Sequence, residues 1–287
     1  MHSNNFRFFK KRMGQANHYL ITILIGLDAV RNGAKKEEAF STCWNPENVQ
    51  YSANRSKKYA INSALSWAVD NLDTYLRLCN REPKLYREDE SEQIAQTNLS
   101  VYKKYKCVLE HHTVFPDNQK AFVDLLICWR NNMMHYDAEN ELLPSTRRYF
   151  EKIPNEDIVI TKYHLNIGEM LERFNNGESP TFKEITTMIS MTIHFVELLD
   201  SVLISNVDQK VYLRILLYKE YKKNTDTVTN FLSFQNCSVE KKTKKIKQFF
   251  ATHGIDDDFY NDEGIDFINS ISSMSAKELI QNLNGGI

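Results

Sequence analysis

The chain has 287 residues, of which 42% are hydrophobic and 25% are charged, which is the balance of a globular protein that buries a core. The formal net charge of −1 excludes a molecule that is basic overall, so any binding of nucleic acid has to come from a local patch. Nine glycines and six prolines are few for this length, which argues against low-complexity disorder and against a turn-rich all-β fold.

Apolar residues recur at helical spacing through almost the whole chain, which predicts an all-α, multi-helix bundle. Only Ile158-Val159-Ile160 resembles a strand. We expect the first helix over residues 6–32, stopped by Gly33. Further helices are predicted at 54–80, 95–112, 117–138, 145–153, 163–175, 181–205, 208–223, 239–252, 262–272 and 275–283.

Three sequence signals mark the starts of helices. Pro116-Asp117 precedes the helix predicted at 117–138. Thr181 with Glu184 and Ser275 with Glu278 have the spacing of capping boxes. A polar break after residue 223 and a change in charge character favour two parts, a helical domain over 1–206 and a C-terminal helical extension over 207–287.

The cysteines and the apolar segments indicate where the protein works. Five scattered cysteines without a Cys-x-x-Cys pair predict reduced thiols in the cytoplasm and neither a disulfide framework nor a zinc site. The most apolar stretch that we single out, Tyr19 to Leu27, meets Asp28 after about nine residues, and about 20 are needed to cross a bilayer. We therefore expect no association with a membrane.

One segment combines an arginine and a histidine at the end of an apolar helix. Arg130 and His135 are separated by four residues, and Asn131 follows the arginine directly. Arginine followed by histidine at a spacing of four to six residues is expected about once by chance in a chain of this composition, and two pairs occur. In the other pair, Arg12 and His18, no asparagine follows the arginine. The first pair is the candidate site.

These residue types suit the cleavage of RNA without a metal ion. His135 can exchange protons near neutral pH, either with the attacking 2′-hydroxyl or with the leaving 5′-oxygen. Arg130 is a permanent cation that can grip two phosphate oxygens. On a helix Asn131 shares a face with His135, and Arg130 lies about 140° away, so its long side chain has to curl toward that face. Because one histidine cannot easily perform both proton transfers, we expect a homodimer.

These residues resemble the signature of the HEPN superfamily, in which arginine is followed after four to six residues by histidine, often with asparagine next to the arginine. The resemblance covers residues 1 to about 205 and rests on the motif and its helical context. It implies a bundle that dimerises across one cleft and acts as a metal-independent endoribonuclease in toxin–antitoxin, abortive-infection or other defence systems. It also implies an RNA substrate, no cofactor, and an antitoxin or sensor protein as partner.

Some members of that family carry a tyrosine two places after the histidine, which an antitoxin modifies. Here Tyr136 follows His135 directly and aspartate occupies position 137, so the same regulation is not expected. Tyr136 is kept as a candidate supporting residue.

Two other classes of function compete with the nuclease. The first is a non-catalytic helical scaffold that binds RNA, nucleotide or protein, in which Arg130 pairs with an acidic neighbour and His135 is solvated near a helix C-terminus. The second is an adaptor without any role in nucleic-acid binding. A stable monomer favours the scaffold, and absence of RNA binding at low salt favours the adaptor.

The second predicted helix carries a polar stripe opposite its apolar face. The members of this α2 polar stripe are three or four positions apart: Asn62, Ser66, Asp70, Asp73 and Arg77. Asp70 or Asp73 could reach the motif and orient its arginine or histidine. The alternative is an ordinary solvated face with an Asp73–Arg77 pair.

The C-terminal extension is electrically two-sided. Residues 210–247 hold ten basic and three acidic residues, whereas 248–287 hold one lysine and seven acidic residues. Five lysines beside Phe249 and Phe250 could bind an RNA backbone: Lys241, Lys242, Lys244, Lys245 and Lys247. The alternative is a lysine-rich helix whose aromatic side faces the core. The acidic run 256–266 does not place carboxylates at both ends of a calcium loop, so we expect no metal site.

Overall fold

The computed structural model describes residues 2–35, 43–97, 100–134, 141–223 and 237–284. These ranges contain thirteen α-helices and one short 3-10 helix. These residues contain no strand, and the all-α prediction is confirmed. The α-helices are α1 (Asn4–Arg31), α2 (Val49–Cys79), α3 (Glu88–Gln96), α4 (Val101–His111), α5 (Asp117–Met134), α6 (Pro144–Glu151), α7 (Ile158–Thr161), α8 (Ile167–Asn175), α9 (Phe182–Asn206), α10 (Gln209–Lys223), α11 (Val239–Thr252), α12 (Asp262–Ser273) and α13 (Ala276–Asn284). The 3-10 helix is Asp257–Phe259, between α11 and α12.

Helix α1 ends where the sequence predicts. Gly33 has a φ of 102°, a left-handed conformation that glycine adopts without steric cost. Its N–H donates to the Val30 carbonyl at 3.1 Å, and the Ala34 N–H donates to the Ala29 carbonyl at 3.0 Å. These two bonds satisfy carbonyl groups that the last helical turn leaves open.

Both predicted capping boxes are confirmed. The Thr181 N–H donates to Glu184 Oε2 at 2.7 Å, and the Glu184 N–H donates to Thr181 Oγ1 at 3.2 Å. The Ser275 N–H donates to Glu278 Oε2 at 2.7 Å, and the Glu278 N–H donates back to Ser275 Oγ at 3.3 Å. In the second box these hydrogen bonds lower the pKa of Glu278. Each box satisfies backbone donors at a helix start, which explains why the boundaries of α9 and α13 were predictable.

Three of the sequence predictions that are wrong in detail are explained by side-chain caps. The helix expected over 95–112 is two helices, α3 and α4, because Ser100 caps α4 by accepting the Lys103 N–H at 3.2 Å. The strand-like Ile158-Val159-Ile160 lies in the one-turn helix α7, because Asp157 accepts the Val159 N–H at 2.9 Å. The helix expected from 163 begins at Ile167, after an Asn166 cap.

The described chain divides into two compact units that are each discontinuous in sequence. The first, which we call the motif unit, comprises Phe8–Tyr75 and Thr97–Leu198. The second, which we call the terminal unit, comprises Met1–Arg7, Leu76–Gln96 and Leu199–Ile287. The predicted boundary near residue 206 stays a prediction.

The motif unit has an aromatic and aliphatic core centred on α5 and α9. The rings of Phe115 and Phe195 stack with centroids 4.1 Å apart, and the Tyr105 ring lies 5.7 Å from Phe195. The Tyr105 hydroxyl donates to the Lys120 carbonyl at 2.7 Å, so its polar end is satisfied within the core. Burial of these rings holds α4, α5 and α9 together.

The terminal unit packs α10, α11 and α12 around a separate core. Leu213, Phe250 and Ile268 are buried there. The Thr243 hydroxyl on α11 bonds with the Ser272 hydroxyl on α12 at 3.0 Å. The unit also contains a buried Asp200, whose Oδ2 accepts the Ser3 N–H at 2.8 Å.

One described helix, α9, is long and apolar enough to cross a membrane by length and composition alone. Of its most apolar window, 61% is buried inside the protein, which is typical of a core helix. Met188 and Phe195 are among its buried residues. This helix was predicted at 181–205, but Tyr19 to Leu27 was singled out as the most apolar stretch.

Candidate active site

Helix α5 carries the motif arginine out of the hydrophobic core. Every residue from Ala121 to Trp129 is buried. The indole N–H of Trp129 donates to the Glu178 carbonyl at 2.8 Å, which fixes the helix just before the motif. Arg130 is half-buried, and Met134, the last described residue of the helix, is 52% exposed. The apolar helix therefore reaches a surface at the motif.

Arg130 is a partly dehydrated cation whose buried Nε is not hydrogen-bonded to any described residue. Burial lowers the pKa of Arg130, and the nearby carboxylates of Asp70 and Asp73 offset part of that effect. Its buried Nε has no hydrogen-bond partner among the described residues. A guanidinium that has lost water without gaining a bonded partner is stabilised by any anion that binds to it. The position therefore suits an anion-binding residue.

The two carboxylates of the α2 polar stripe differ in how far they are already engaged. Asp73 Oδ1 accepts a hydrogen bond from Lys104 Nζ at 2.9 Å, in an ion pair whose lysine side chain is only 3% exposed. Asp70 lies one turn earlier on α2 and is exposed. Both lie close enough for their charges to act on Arg130. Their roles in catalysis stay predictions.

Lys104 is a charged residue of this site that the sequence analysis missed. It lies on the inner face of α4, between Val101 and Val108, where an amphipathic helix normally places apolar residues. A lysine at such a position is the signal that could have revealed it, because a buried lysine needs an acidic partner.

Two further oxygen atoms of the α2 polar stripe are buried without a hydrogen-bond partner among the described residues. They are Asn62 Oδ1 and Ser66 Oγ. Both residues are half-buried and precede Asp70 by eight and four positions. The stripe therefore offers acceptor groups that are partly withdrawn from solvent, rather than an entirely solvated face.

Of the remaining candidate residues at the motif, only Asn131 lies in the described part of the chain. Asn131 is only 5% exposed, so it is placed to support its neighbours rather than to meet a substrate at the surface. His135 and Tyr136 lie outside the described residues. Their predicted roles stay predictions.

The chain returns from the motif through a segment that is anchored to α5. Asp124, fully buried on α5, accepts the Leu143 N–H at 2.8 Å and bonds to the Thr146 hydroxyl, so it caps the start of α6. The Tyr102 hydroxyl donates to the Glu141 carbonyl at 3.1 Å. The positions on both sides of residues 135–140 are therefore held by the core.

Asp124 was also missed in the sequence, although it is visible there as the one carboxylate in the apolar run 121–129. Burial raises the pKa of Asp124, and the hydrogen bond from Leu143 acts in the opposite direction. The buried carboxylate has a structural role, because it accepts a backbone N–H at the start of α6.

The other arginine–histidine pair, Arg12 and His18, has different surroundings from the motif. The Arg12 guanidinium lies 4.7 Å from the Trp67 ring centroid and 5.3 Å from that of Phe8. His18 is exposed on α1. Arg12 is therefore engaged by two aromatic rings, which is typical of a structural cation–π contact.

The five lysines proposed for RNA binding do not form one free surface. Lys247 bonds to Asp257 at 2.7 Å and lies 5.3 Å from the centroid of the Tyr260 ring. Lys242 donates to the Met274 carbonyl at 3.4 Å, whereas Lys241, Lys244 and Lys245 are exposed. Ile246 and Phe250 on the same helix are buried, as expected for a helix whose aromatic side faces the core.

The described ranges contain no group of three His, Cys, Asp or Glu side chains arranged to hold a metal ion. No family model matches the sequence, and neither the curated proteins nor the solved structures give a match. The argument for function therefore depends on the site.

We expect Asp73→Ala to lower the free energy of unfolding by about 3 kcal/mol, because Lys104 is left as a buried, unpaired charge. The apolar replacement Lys104→Met with Asp73→Leu should recover most of that loss. Urea denaturation of both variants measures the effect. Asp70→Ala, which removes an exposed carboxylate, serves as the control and should change stability by no more than about 0.5 kcal/mol. Wild-type stability in Asp73→Ala would contradict the buried ion pair.

Asp124→Ala should cost about 2 kcal/mol, because the Leu143 N–H loses its acceptor. Asp124→Asn retains an acceptor and tests the charge. Since the pKa of Asp124 is raised above 3.8, the stability linked to its proton is present below that pH and is lost as the pH rises through the folded value. The asparagine variant should therefore gain stability relative to wild type between about pH 4 and pH 7. A relative loss over that range would refute the raised pKa.

Proposed function

We propose that the protein is a metal-independent endoribonuclease of the HEPN type, acting in the cytoplasm as a toxin or antiviral defence effector. The observation that carries this proposal is Arg130, a half-buried guanidinium at the surface end of α5 whose buried Nε has no hydrogen-bond partner in the part of the chain that the structure describes. A phosphate diester supplies the bidentate acceptor that such a group lacks. The adjacent Asn131 and the spacing to His135 complete the motif.

The proposed reaction is an attack of the ribose 2′-hydroxyl on the neighbouring phosphorus. A base removes the 2′-proton, the bond from phosphorus to the 5′-oxygen breaks, and an acid protonates that oxygen, leaving a cyclic phosphate and a 5′-hydroxyl. We assign the proton transfers to His135 from two copies of the chain, because an imidazole serves in either role near neutral pH. Arg130 stabilises the charge on the phosphorane oxygens, and Asn131 supports the geometry from within the helix.

A homodimer is part of this proposal, and the surface of α1 supports it. The stretch Tyr19 to Leu27 is apolar around the whole helix, yet Ile21, Ile23 and Ile25 are 39%, 48% and 66% exposed. A helix that is apolar on all sides is normally buried. A second copy is the occupant we assign, because a two-fold contact between segments without Lys, Arg, Asp or Glu brings no like charges together.

The alternative is a non-catalytic scaffold with the same fold. The observation that favours it is the presence of Asp70 and Asp73 beside Arg130, since carboxylates can balance an arginine that has only a structural role. An antitoxin or sensor protein would then be the main partner. The two proposals differ in whether the isolated protein cuts RNA.

The nuclease proposal predicts that His135→Ala and Arg130→Ala each reduce cleavage of single-stranded RNA by at least about a hundredfold, because each removes a group that acts on the transition state. Cleavage is followed by gel electrophoresis in buffer containing EDTA, which should leave the wild-type rate unchanged. Circular dichroism checks that the variants remain helical.

The matched control is Arg12→Ala with His18→Ala, which removes the other arginine–histidine pair and should keep the cleavage rate within about twofold of wild type. Full activity in a contaminant-free His135→Ala preparation would contradict the mechanism, as would a strict requirement for added magnesium.

The double variant Ile21→Glu with Ile25→Glu should convert the protein from dimer to monomer, because carboxylates would be buried without partners in the interface. Light scattering measures the mass, and cleavage should fall together with the dimer fraction. Gln15→Glu adds a charge on α1 outside the apolar stretch and should leave the dimer intact. A wild-type protein that is monomeric at micromolar concentration would refute the homodimer.

A further inference from the structure

The α2 polar stripe continues toward the N-terminus of α2 with larger side chains. We call these three residues the aromatic–basic stripe: Tyr51, Arg55 and Tyr59. Successive members from Tyr51 to Asp73 are three or four positions apart, so the two ends of the row lie within about 40° of each other around the helix. The members of the row from Tyr51 to Asp73 all belong to the motif unit.

The aromatic–basic stripe exposes two flat rings with a cation between them. Tyr51 is 63% exposed and Tyr59 is 76% exposed. The Arg55 guanidinium lies 5.7 Å from the centroid of the Tyr51 ring. The two tyrosines are eight residues apart, which is about 12 Å along the helix axis. Large aromatic side chains left this exposed on a regular helix are available for stacking.

The charged residues along this part of α2 have one sign. No acidic residue occurs from Val49 to Val69, and that range contains Arg55, Lys57 and Lys58. The first carboxylate along α2 is Asp70, one of the two groups whose charges act on Arg130. In a chain with a net charge of −1, this segment is a local site of positive potential.

We propose that the aromatic–basic stripe binds single-stranded RNA and guides it toward Arg130. Exposed rings stack on unpaired bases of any sequence, and interspersed cations hold the phosphates, which is the usual combination in proteins that bind single strands. A double helix keeps its bases stacked on each other and cannot use the rings. The ligand class is therefore an unpaired RNA strand.

The path along α2 connects the stripe to the candidate active site. From Tyr59 to Asp70 the helix advances eleven residues, or about 16 Å. A strand bound at Tyr51 and Tyr59 therefore reaches the Arg130 end of the row within a few nucleotides. This inference rests on the proposed function for the location of the reacting phosphate, whereas the binding of RNA to the stripe is independent of cleavage.

A protein interface is the competing use of the same residues, because Tyr and Arg are also enriched where proteins meet. The absence of acidic residues over 21 positions favours RNA, since protein interfaces usually place both signs of charge at their rim. The exposed apolar stretch of α1, which we assign to the second copy, contains none of the three residues. The two surfaces can therefore be tested separately.

The test measures binding of a fluorescent single-stranded RNA by anisotropy in the His135→Ala background, so that binding is observed without cleavage. Tyr51→Ala with Tyr59→Ala should raise the dissociation constant at least about tenfold, because both rings that stack on bases are lost. Arg55→Ala should weaken binding and reduce the slope of log K against log salt by about 0.7, as for one lost phosphate contact on a single strand. A duplex of the same sequence should bind more weakly than the single strand.

Two matched controls accompany these variants. Tyr51→Phe with Tyr59→Phe keeps both rings and should bind within about twofold of the parent, whereas Lys103→Ala removes an exposed cation on α4 and should leave the affinity unchanged. Unchanged RNA affinity in Tyr51→Ala with Tyr59→Ala, or a loss of dimer mass without a loss of RNA binding, overturns the inference. If the wild-type protein binds RNA through the stripe but never cuts it, the inference stands and the proposed nuclease fails.

Discussion

The buried ion pair between Lys104 and Asp73 determines the charge at the surface end of α5. Two cations, Lys104 and Arg130, lie near the same carboxylate, and the 2.9 Å bond commits that carboxylate to the lysine. The carboxylate that mainly offsets the charge of Arg130 is therefore Asp70, which is exposed to solvent. The motif arginine is available to an anion because a buried lysine already bonds to Asp73, one of the two carboxylates that lie near it.

The helices were largely predictable because local signals and the hydrophobic period agree along most of the chain. Gly33 and the capping boxes at Thr181 and Ser275 are short-range chemistry, and the structure uses them as the sequence indicates. The errors occur where a cap outweighs an apolar pattern. Ile158-Val159-Ile160 favours a strand by residue type. The carboxylate of Asp157 caps a helical turn there, and this cap outweighs the low helix propensity of three β-branched residues.

In the candidate site, only groups of residues that lie together on the same helix were predictable. The α2 polar stripe and the α5 motif follow from spacing, and the closeness of Asp70 and Asp73 to Arg130 agrees with that pattern. Lys104 and Asp124 could not be assigned in the same way, because their partners are distant in sequence: Asp73 is 31 residues from Lys104, and Leu143 is 19 from Asp124. Each was visible only as a charge in an apolar pattern, which indicates burial but does not identify the partner.

The charges along α2 also explain how Asp70 and Asp73 are compatible with the phosphate binding that we propose for Arg130. Asp73 is compensated by Lys104, so the carboxylate that repels an approaching phosphate is Asp70, which is exposed and screened by solvent. Against it stand Arg130 and the three cations between Val49 and Val69. In the proposed function, a strand held by Tyr51, Arg55 and Tyr59 is bound before it meets Asp70. The stripe would then supply the affinity, and Arg130 would act on the one phosphate that reaches it. Under this proposal Asp70 would weaken binding of the substrate phosphate next to Arg130 more than binding of RNA along the stripe. Arg130 would then contribute mainly in the transition state, when negative charge develops on the phosphorane.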